Sequence, residues 1–132
     1  MAADQPLTMQ RLPEEFWLYQ MTARELPSDL LQLDRTVFFQ VTPDEVSVMT
    51  SGRPGLAGQE QGPWKGWAVA GPLDFSLVGI LARISGLLAD AEIPVFVIST
   101  FNTDYVFVAA AQVQEAEQAL VAGGIQIQEA LP

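Results

Sequence analysis

The chain has 132 residues, of which 49% are hydrophobic and 17% are charged, and its net charge is −10. This composition supplies a buried core and excludes a disordered tail as the main interpretation. The six basic residues are scattered singly, whereas nucleic acids and anionic membranes require clustered Lys and Arg. We therefore expect no nucleic-acid partner and no membrane partner. Because Met1–Gln10 shows no secretion signal and no stretch reaches the roughly 20 apolar residues of a spanning helix, a cytoplasmic location is expected.

The chain has no Cys and no His, two residue types that are common in catalytic and metal sites. Thiol nucleophiles, Cys-ligated metals and triads that contain His are excluded. The prediction is a protein without catalytic activity, cofactor or metal. A carboxylate-based enzyme is the remaining alternative, and Asp74 and Asp104 are its candidate residues.

The first part of the chain predicts three strands and one short helical turn. Phe16–Met21 is the first strand, and Ser28–Leu33 has room only for the turn. Val37–Val41 and Val46–Thr50 are the next two strands, joined by Thr42-Pro43-Asp44-Glu45, a typical turn sequence.

A Gly- and Pro-rich stretch at residues 51–63 predicts a linker, because both residue types disfavour regular structure. It separates a first half at residues 1–62 from a second domain at residues 63–132.

The second domain begins with a predicted strand, Trp67–Ala70. From Leu77 onward apolar residues recur at helical spacing, and Ser76 immediately precedes them as the expected N-cap. Pro94 cannot continue the helix. The acidic runs at residues 14–15 and 115–117 are interpreted as solvated faces.

The remaining predicted elements are two strands, a helix and a final strand, in that order. Val95–Ser99 and Tyr105–Val108 are predicted to form a hairpin around the turn at residues 101–104. Gln112–Ala122 is the second helix, which ends at Gly123-Gly124, and Ile125–Gln128 is the last strand.

The resulting order, βαββαβ, predicts an α+β, ferredoxin-like fold with antiparallel strands and both helices on one face. The first half has the opening of the same order with a stunted helix, so it is interpreted as a degenerate copy.

Two segments carry a more specific resemblance: PLDFSLVGIL at residues 72–81 and IPVFVISTFNTDYV at residues 93–106. They resemble the ACT-domain proteins, in the branch shared by small bacterial ACT proteins and the CASTOR-type arginine sensors. The resemblance is strong over residues 67–124 and mostly architectural over residues 16–50. It implies a tandem arrangement in which an ACT domain follows a degenerate ACT-like half.

The resemblance implies a regulatory protein that binds a free amino acid at an interface between ACT units, with a homodimer as the expected assembly. The family's ligand contacts fall on two segments: Ser76, Leu77, Val78, Gly79 and Ile80, then Thr100, Phe101, Asn102, Thr103 and Asp104. Many ACT domains of metabolic enzymes have Asp-x-x-Gly at the first segment, where this chain has Ser76-x-x-Gly79. We expect no attached catalytic domain, so any output would pass to an unidentified protein partner.

Three of these residues have structural alternatives. Gly79 would let a ligand approach the backbone, or would serve close packing of helix against strand. Asp104 would accept hydrogen bonds from a ligand ammonium group, or would form the turn. Phe101 would be an apolar wall of the site, or a partly buried aromatic at a strand end.

A second class of function stays open beside the amino-acid sensor. The chain would then be a protein–protein interaction module in which the ligand site is vestigial. An open or closed site around Gly79 and Asp104 separates the two hypotheses.

Overall fold

The computed structural model describes residues 6–24, 28–31, 35–70 and 78–129. These fall into two compact units. The larger unit comprises the residues up to Pro13 together with those from Lys65 onward, and the smaller unit comprises Glu14–Trp64. The residues before Glu14, which the prediction assigned to the first half, thus belong with the second.

The described residues of the larger unit form five strands and two α-helices. They are β1 (Thr8–Arg11), the end of β5 (Gly58–Val69), α1 (Ile80–Asp90), β6 (Phe96–Ser99), β7 (Asp104–Ala109), α2 (Val113–Ala122) and β8 (Gln126–Gln128). A 3-10 turn at Ala110–Gln112 precedes α2. The predicted α+β, ferredoxin-like order is confirmed.

Strand pairs in the larger unit give the order β6-β7-β5-β1-β8. Met9 lies opposite Val69 in the antiparallel β1–β5 pair and opposite Ile127 in the parallel β1–β8 pair. The prediction of a purely antiparallel sheet is therefore wrong at one pair, because β1 is inserted between β5 and β8.

Both helices cover one face of this sheet, as predicted. Ile84 and Leu88 of α1 and Ala116 and Leu120 of α2 belong to one buried cluster. The strands contribute alternate residues to the same cluster: Met9, Trp67, Val69, Val106 and Val108. Alternation places these side chains on a single face, where burial of apolar surface stabilises the unit.

Each helix ends in a left-handed residue followed by a buried isoleucine. After α1, Glu92 has φ 60° and the N–H of Ile93 donates to the Leu88 carbonyl at 2.9 Å. After α2, Gly124 has φ 91° and the N–H of Ile125 donates to the Leu120 carbonyl at 3.0 Å. These six-to-one bonds are Schellman stops, and α1 ends before Pro94 is reached.

The start of α1 differs from the prediction. The helix begins at Ile80 with Gly79 as its N-cap, so the assignment of Ser76 as N-cap is wrong. Gly79 has φ 81°, in the left-handed region. A right-handed helix cannot run through such a residue, although the apolar spacing continues upstream of it.

The smaller unit contains β2 (Phe16–Met21), a 3-10 turn (Ser28–Leu31), β3 (Val37–Val41), β4 (Val46–Ser51) and the start of β5. Its strands are antiparallel in the order β3-β4-β2-β5. Phe16, Tyr19, Val46, Val48 and Met49 are buried there. That this unit is a degenerate ACT-like half stays a prediction.

The predicted linker at residues 51–63 is wrong over half its length, because β5 begins at Gly58 and Ser51 is the last residue of β4. Glycine is required at Gly58 by close strand packing: an added Cβ would lie 1.9 Å from the Gln20 carbonyl oxygen of β2. The register of β2 against β5 shifts between Phe16 and Leu18. Pro63, which has no N–H to donate, is tolerated at such an irregularity.

Candidate ligand-binding site

Among the described residues, the start of α1 is open around Gly79. An added Cβ at this residue would meet none of their atoms within 4 Å, and none of their side chains caps the helix with a hydrogen bond. Val78 is 72% exposed, while Ile80 packs against the buried cluster. The first N–H groups of a helix lack intrahelical acceptors and lie at the positive end of its dipole, which suits a carboxylate.

The turn between β6 and β7 is fixed by its own threonines. The N–H of Thr100 donates to the Thr103 carbonyl at 2.9 Å, and the Thr100 hydroxyl donates to the same oxygen at 3.1 Å. Asp104 accepts a hydrogen bond from the Ser99 hydroxyl at 2.5 Å. Asp104 thus takes part in the hairpin and keeps carboxylate acceptor capacity beyond that bond.

Phe101 and Asn102 form the exposed tip of this turn. Phe101 is 82% exposed, so the alternative in which it is a partly buried strand-end aromatic is wrong. Most of the surface of this large apolar side chain therefore faces solvent at the turn.

Thr103 ties the turn to the end of β5. It is 9% exposed, and its hydroxyl donates to the Val69 carbonyl at 2.5 Å. One residue later, the N–H of Ala70 donates to the Thr8 carbonyl of β1 at 2.8 Å. The turn at 100–104 therefore lies at the end of β5 from which the chain continues towards α1.

The structure places the predicted site residues in two groups. Thr100–Asp104 come together in the turn beside Val69, and Val78–Ile80 form the start of α1. Ser76 and Leu77 lie outside the described residues.

A pocket that the sequence did not predict lies elsewhere in the larger unit. It has a volume of about 340 Å³, and its charged lining residues are Arg11, Lys65, Glu117 and Glu129. Leu12, Pro13, Trp67 and Val113 form its apolar walls.

Glu117 of α2 links two strands at this pocket. It accepts hydrogen bonds from Arg11 Nε at 2.7 Å, Arg11 Nη2 at 2.8 Å and the Trp67 indole N–H at 2.8 Å. These contacts, with the Arg11 bonds foremost, hold the pKa of Glu117 below its ordinary value of 4.5. The interpretation of residues 115–117 as a solvated face is therefore wrong for Glu117. A signal for it exists in the helical spacing, since Val113, Ala116 and Leu120 mark the buried face beside which Glu117 falls.

The smaller unit has its own polar cluster on β2 and β5. The Tyr19 hydroxyl donates to Glu60 at 2.7 Å and accepts from the N–H of Gly55 at 3.1 Å. Arg53 donates to the other Glu60 oxygen at 2.7 Å and stacks 4.3 Å from the centre of the Trp17 ring. The Arg53 bond, followed by the Tyr19 bond, lowers the pKa of Glu60. Each charged group in this cluster has a protein partner, which favours a structural role.

In the described part of the chain, no three acidic, His or Cys side chains are grouped in a way that could hold a metal ion. Neither of the two described helices is long and apolar enough to cross a membrane.

Residues 61–122 match the family model of the ACT domain. The match runs from within β5 to the end of α2 and covers slightly less than half of the chain. No curated protein sequence matches significantly.

Solved structures resemble the chain over nearly its full length. A protein from Agobacterium tumefaciens has a TM-score of 0.83 at 21% identity, with 97% of this chain and 96% of that chain covered. The aspartokinase alpha and beta subunits give 0.62 at 13% identity, with coverages of 90% and 98%. The regulatory subunit of aspartate kinase from Thermus thermophilus, in its ligand-free form, gives 0.58 at 11% identity, with coverages of 83% and 93%. At these identities the likeness shows the fold: α+β, of the ACT-like ferredoxin type.

Proposed function

We propose that the chain is a regulatory protein without catalytic activity that binds a free amino acid through the loop at residues 76–80 and the turn at residues 100–104. The observation that carries the proposal is the open, uncapped start of α1 at Gly79, within the segment that matches the ACT domain model. Regulatory chains of aspartate kinase share the fold, which supports a regulatory function. Closer kinship with the CASTOR-type arginine sensors stays a prediction.

The two segments offer complementary chemistry to a zwitterion. The N–H groups after Gly79 would receive the ligand's carboxylate. The carboxylate of Asp104, which has lone pairs beyond its Ser99 bond, would accept hydrogen bonds from the ammonium group. Helix α1 follows β5 and returns across the sheet to β6, so its start belongs at the same end of the sheet as Val69 and the turn.

A homodimer would complete such a site, as the resemblance implies. The turn leaves Phe101 in solvent, and a second copy of the chain would bury it. Size-exclusion chromatography with light scattering measures this assembly directly.

Thermal unfolding against the twenty amino acids, each at millimolar concentration, tests the proposal. A ligand at 100 times its dissociation constant stabilises the folded state by about 2.7 kcal/mol. For a domain of this size the melting temperature should rise by several degrees, at roughly 2–4 °C or more per kcal/mol. A response to one or two amino acids supports the proposal, and an unchanged melting temperature with all twenty contradicts it.

Matched variants locate the binding. Gly79→Asn introduces a side chain that fills the open space beside residue 79. Asparagine is chosen because it tolerates the left-handed backbone conformation of this position. Gly52→Asn is its control, because Gly52 has φ 75° and equally open surroundings in the smaller unit. Asp104→Asn removes the charge from the turn, and Asp90→Asn does the same at the end of α1. Only Gly79→Asn and Asp104→Asn should weaken the thermal response.

An interaction module is the second candidate, favoured by the exposure of Val78 and Phe101. If the chain is an interaction module, the melting temperature should not change with any amino acid. Phe101→Ser should then abolish the binding of a protein partner.

A further inference from the structure

We propose that the larger unit contains a separate binding site for a small monocarboxylate without an ammonium group, in the pocket lined by Arg11, Lys65 and Trp67. Along β5, Lys65 is four residues before Val69, to which the turn at 100–104 is attached. At the rise of a β-strand this separation is about 13 Å. The pocket is therefore distinct from the amino-acid site proposed above.

Arg11 presents two edges of its guanidinium group to different carboxylates. Its Nε and Nη2 atoms hold Glu117 in a bidentate pair, at 2.7 and 2.8 Å. Because the Trp67 indole also donates to Glu117, this arrangement is fixed from two sides. The remaining nitrogen, Nη1, contacts Glu129.

Glu129 is held far less firmly than Glu117. Its side chain is 81% exposed, against 20% for Glu117, and it follows the last strand, β8. Exposed ion pairs of this kind contribute little to stability. An incoming carboxylate can therefore take the place of Glu129 on Arg11 Nη1 without disturbing the Arg11–Glu117 pair.

Lys65 supplies the second cationic group. Its side chain lines the same pocket, forms no hydrogen bond or ion pair among the described residues, and interacts through its charge with Glu117, where it helps to lower the pKa of that carboxyl. With Glu129 displaced, the pocket carries two cations, Arg11 and Lys65, and one anion, Glu117. The net charge of the pocket is then +1, which a monoanion neutralises. This local positive charge contrasts with the net charge of −10 of the whole chain.

The walls and the volume of the pocket determine the size and polarity of the part of the ligand beyond its carboxylate. Leu12, Pro13 and Val113 are apolar, and about 340 Å³ is at the lower end of the range for small-molecule sites. A short acid with an aliphatic or aromatic body fits this combination. A zwitterionic amino acid fits less well, because Glu117, the carboxylate held inside the pocket, already accepts hydrogen bonds from Arg11 and Trp67 and has little capacity left for an ammonium group.

Butyrate is the probe. It is titrated into the 132-residue chain and followed by the amide and indole N–H signals in NMR, with sodium chloride at equal ionic strength as the reference. We expect saturable shifts of the Trp67 indole and the Lys65 and Gly66 amides. Lys65→Met should weaken butyrate binding about tenfold, as the loss of one charge-assisted hydrogen bond does. Glu129→Gln should tighten it about threefold by removing the competing carboxylate.

Two substitutions outside the pocket are the controls. Arg24→Met removes one positive charge from the smaller unit, and Glu115→Gln removes one negative charge from the exposed side of α2. Both should leave the dissociation constant within about twofold. The proposal is overturned if chloride causes the same shifts, if butyrate shifts do not saturate, or if Glu129→Gln fails to tighten binding. Because Glu129 is exposed, that last measurement stands even where Lys65→Met does not fold.

Discussion

Glu117 illustrates how one side chain ties separate elements of the larger unit together. It lies on α2 and accepts hydrogen bonds from Arg11 of β1 and Trp67 of β5. Removing its carboxylate would leave the indole N–H of the fully buried Trp67 without this acceptor. The cost of such an unsatisfied group is about 1–3 kcal/mol.

The lowered pKa of Glu117 makes this contribution dependent on pH. The folded state binds the proton more weakly than the unfolded state, so the contribution is present above the ordinary pKa of 4.5. It is lost as the pH falls through the lowered value. We expect the difference in unfolding free energy between the parent chain and Glu117→Gln to shrink on acidification from about pH 7 to about pH 3.

Urea unfolding at several pH values measures that difference. Glu115→Gln is the control on the same helix, since Glu115 is exposed, and its curve should run parallel to that of the parent chain. Glu60 has a lowered pKa as well, but it is present in both proteins and cancels. A constant difference between Glu117→Gln and the parent at all pH values contradicts the assigned role.

At the scale of single residues the sequence did not identify this contact. Glu115-Ala116-Glu117 has the composition of a solvated face. The two glutamates differ only in the side of α2 on which they lie: Glu117 lies on the side that faces Trp67, and Glu115 is exposed. The pairing of Arg11 with Glu117 spans 106 residues, a separation that local patterns do not reach.

Strand β5 is the element that the sequence misrepresented most. Its first half reads as a linker because it contains Gly58, Gly62 and Pro63, which normally interrupt regular structure. At Gly58 and Gly62 an added Cβ would collide with β2, the latter at 2.6 Å from the Trp17 ring. These glycines therefore permit strand packing instead of ending the strand.

Gly66, later in β5, gives a testable case of the same effect. An added Cβ there would lie 2.5 Å from the Phe107 ring and 2.9 Å from the Val106 carbonyl oxygen. Because Phe107 is fully buried, the ring has little room to move. Gly66→Ala should lower the unfolding free energy by about 1–3 kcal/mol through overpacking.

Gly86 in the middle of α1 is the matched control. An added Cβ there would meet no atom within 4 Å, and Ala favours a helix over Gly. Gly86→Ala should therefore raise the unfolding free energy by about 0.5–1 kcal/mol. Chemical denaturation of both variants checks the pair, and equal effects of the two substitutions would refute the packing argument.

Strand β1 was missed altogether, because its four residues, Thr8–Arg11, have no strong alternation of apolar and polar side chains. Its place is set by partners more than 50 residues away, in β5 and β8. The helices and the β6–β7 hairpin were predictable because their periodicity, stops and turn residues are local.

For the whole molecule, the order of elements and the α+β class could be predicted, since each follows from the sequence of local patterns. The candidate site was predicted by resemblance, and its geometry depends on features that the sequence hides. Because Gly79 is left-handed, α1 begins at Ile80 and not at Leu77 as predicted. Thr103 connects the turn to β5 through a side-chain hydrogen bond.

Backbone amide shifts in NMR would locate a free amino acid bound at the start of α1 and the turn at residues 100–104. The amino acid that raises the melting temperature most is titrated into the isotopically labelled chain. We expect saturable shifts concentrated at residues 76–80 and 100–104, while the signals of Lys65 and Trp67 stay unchanged. Shifts confined to other residues, or none with any amino acid, would contradict it.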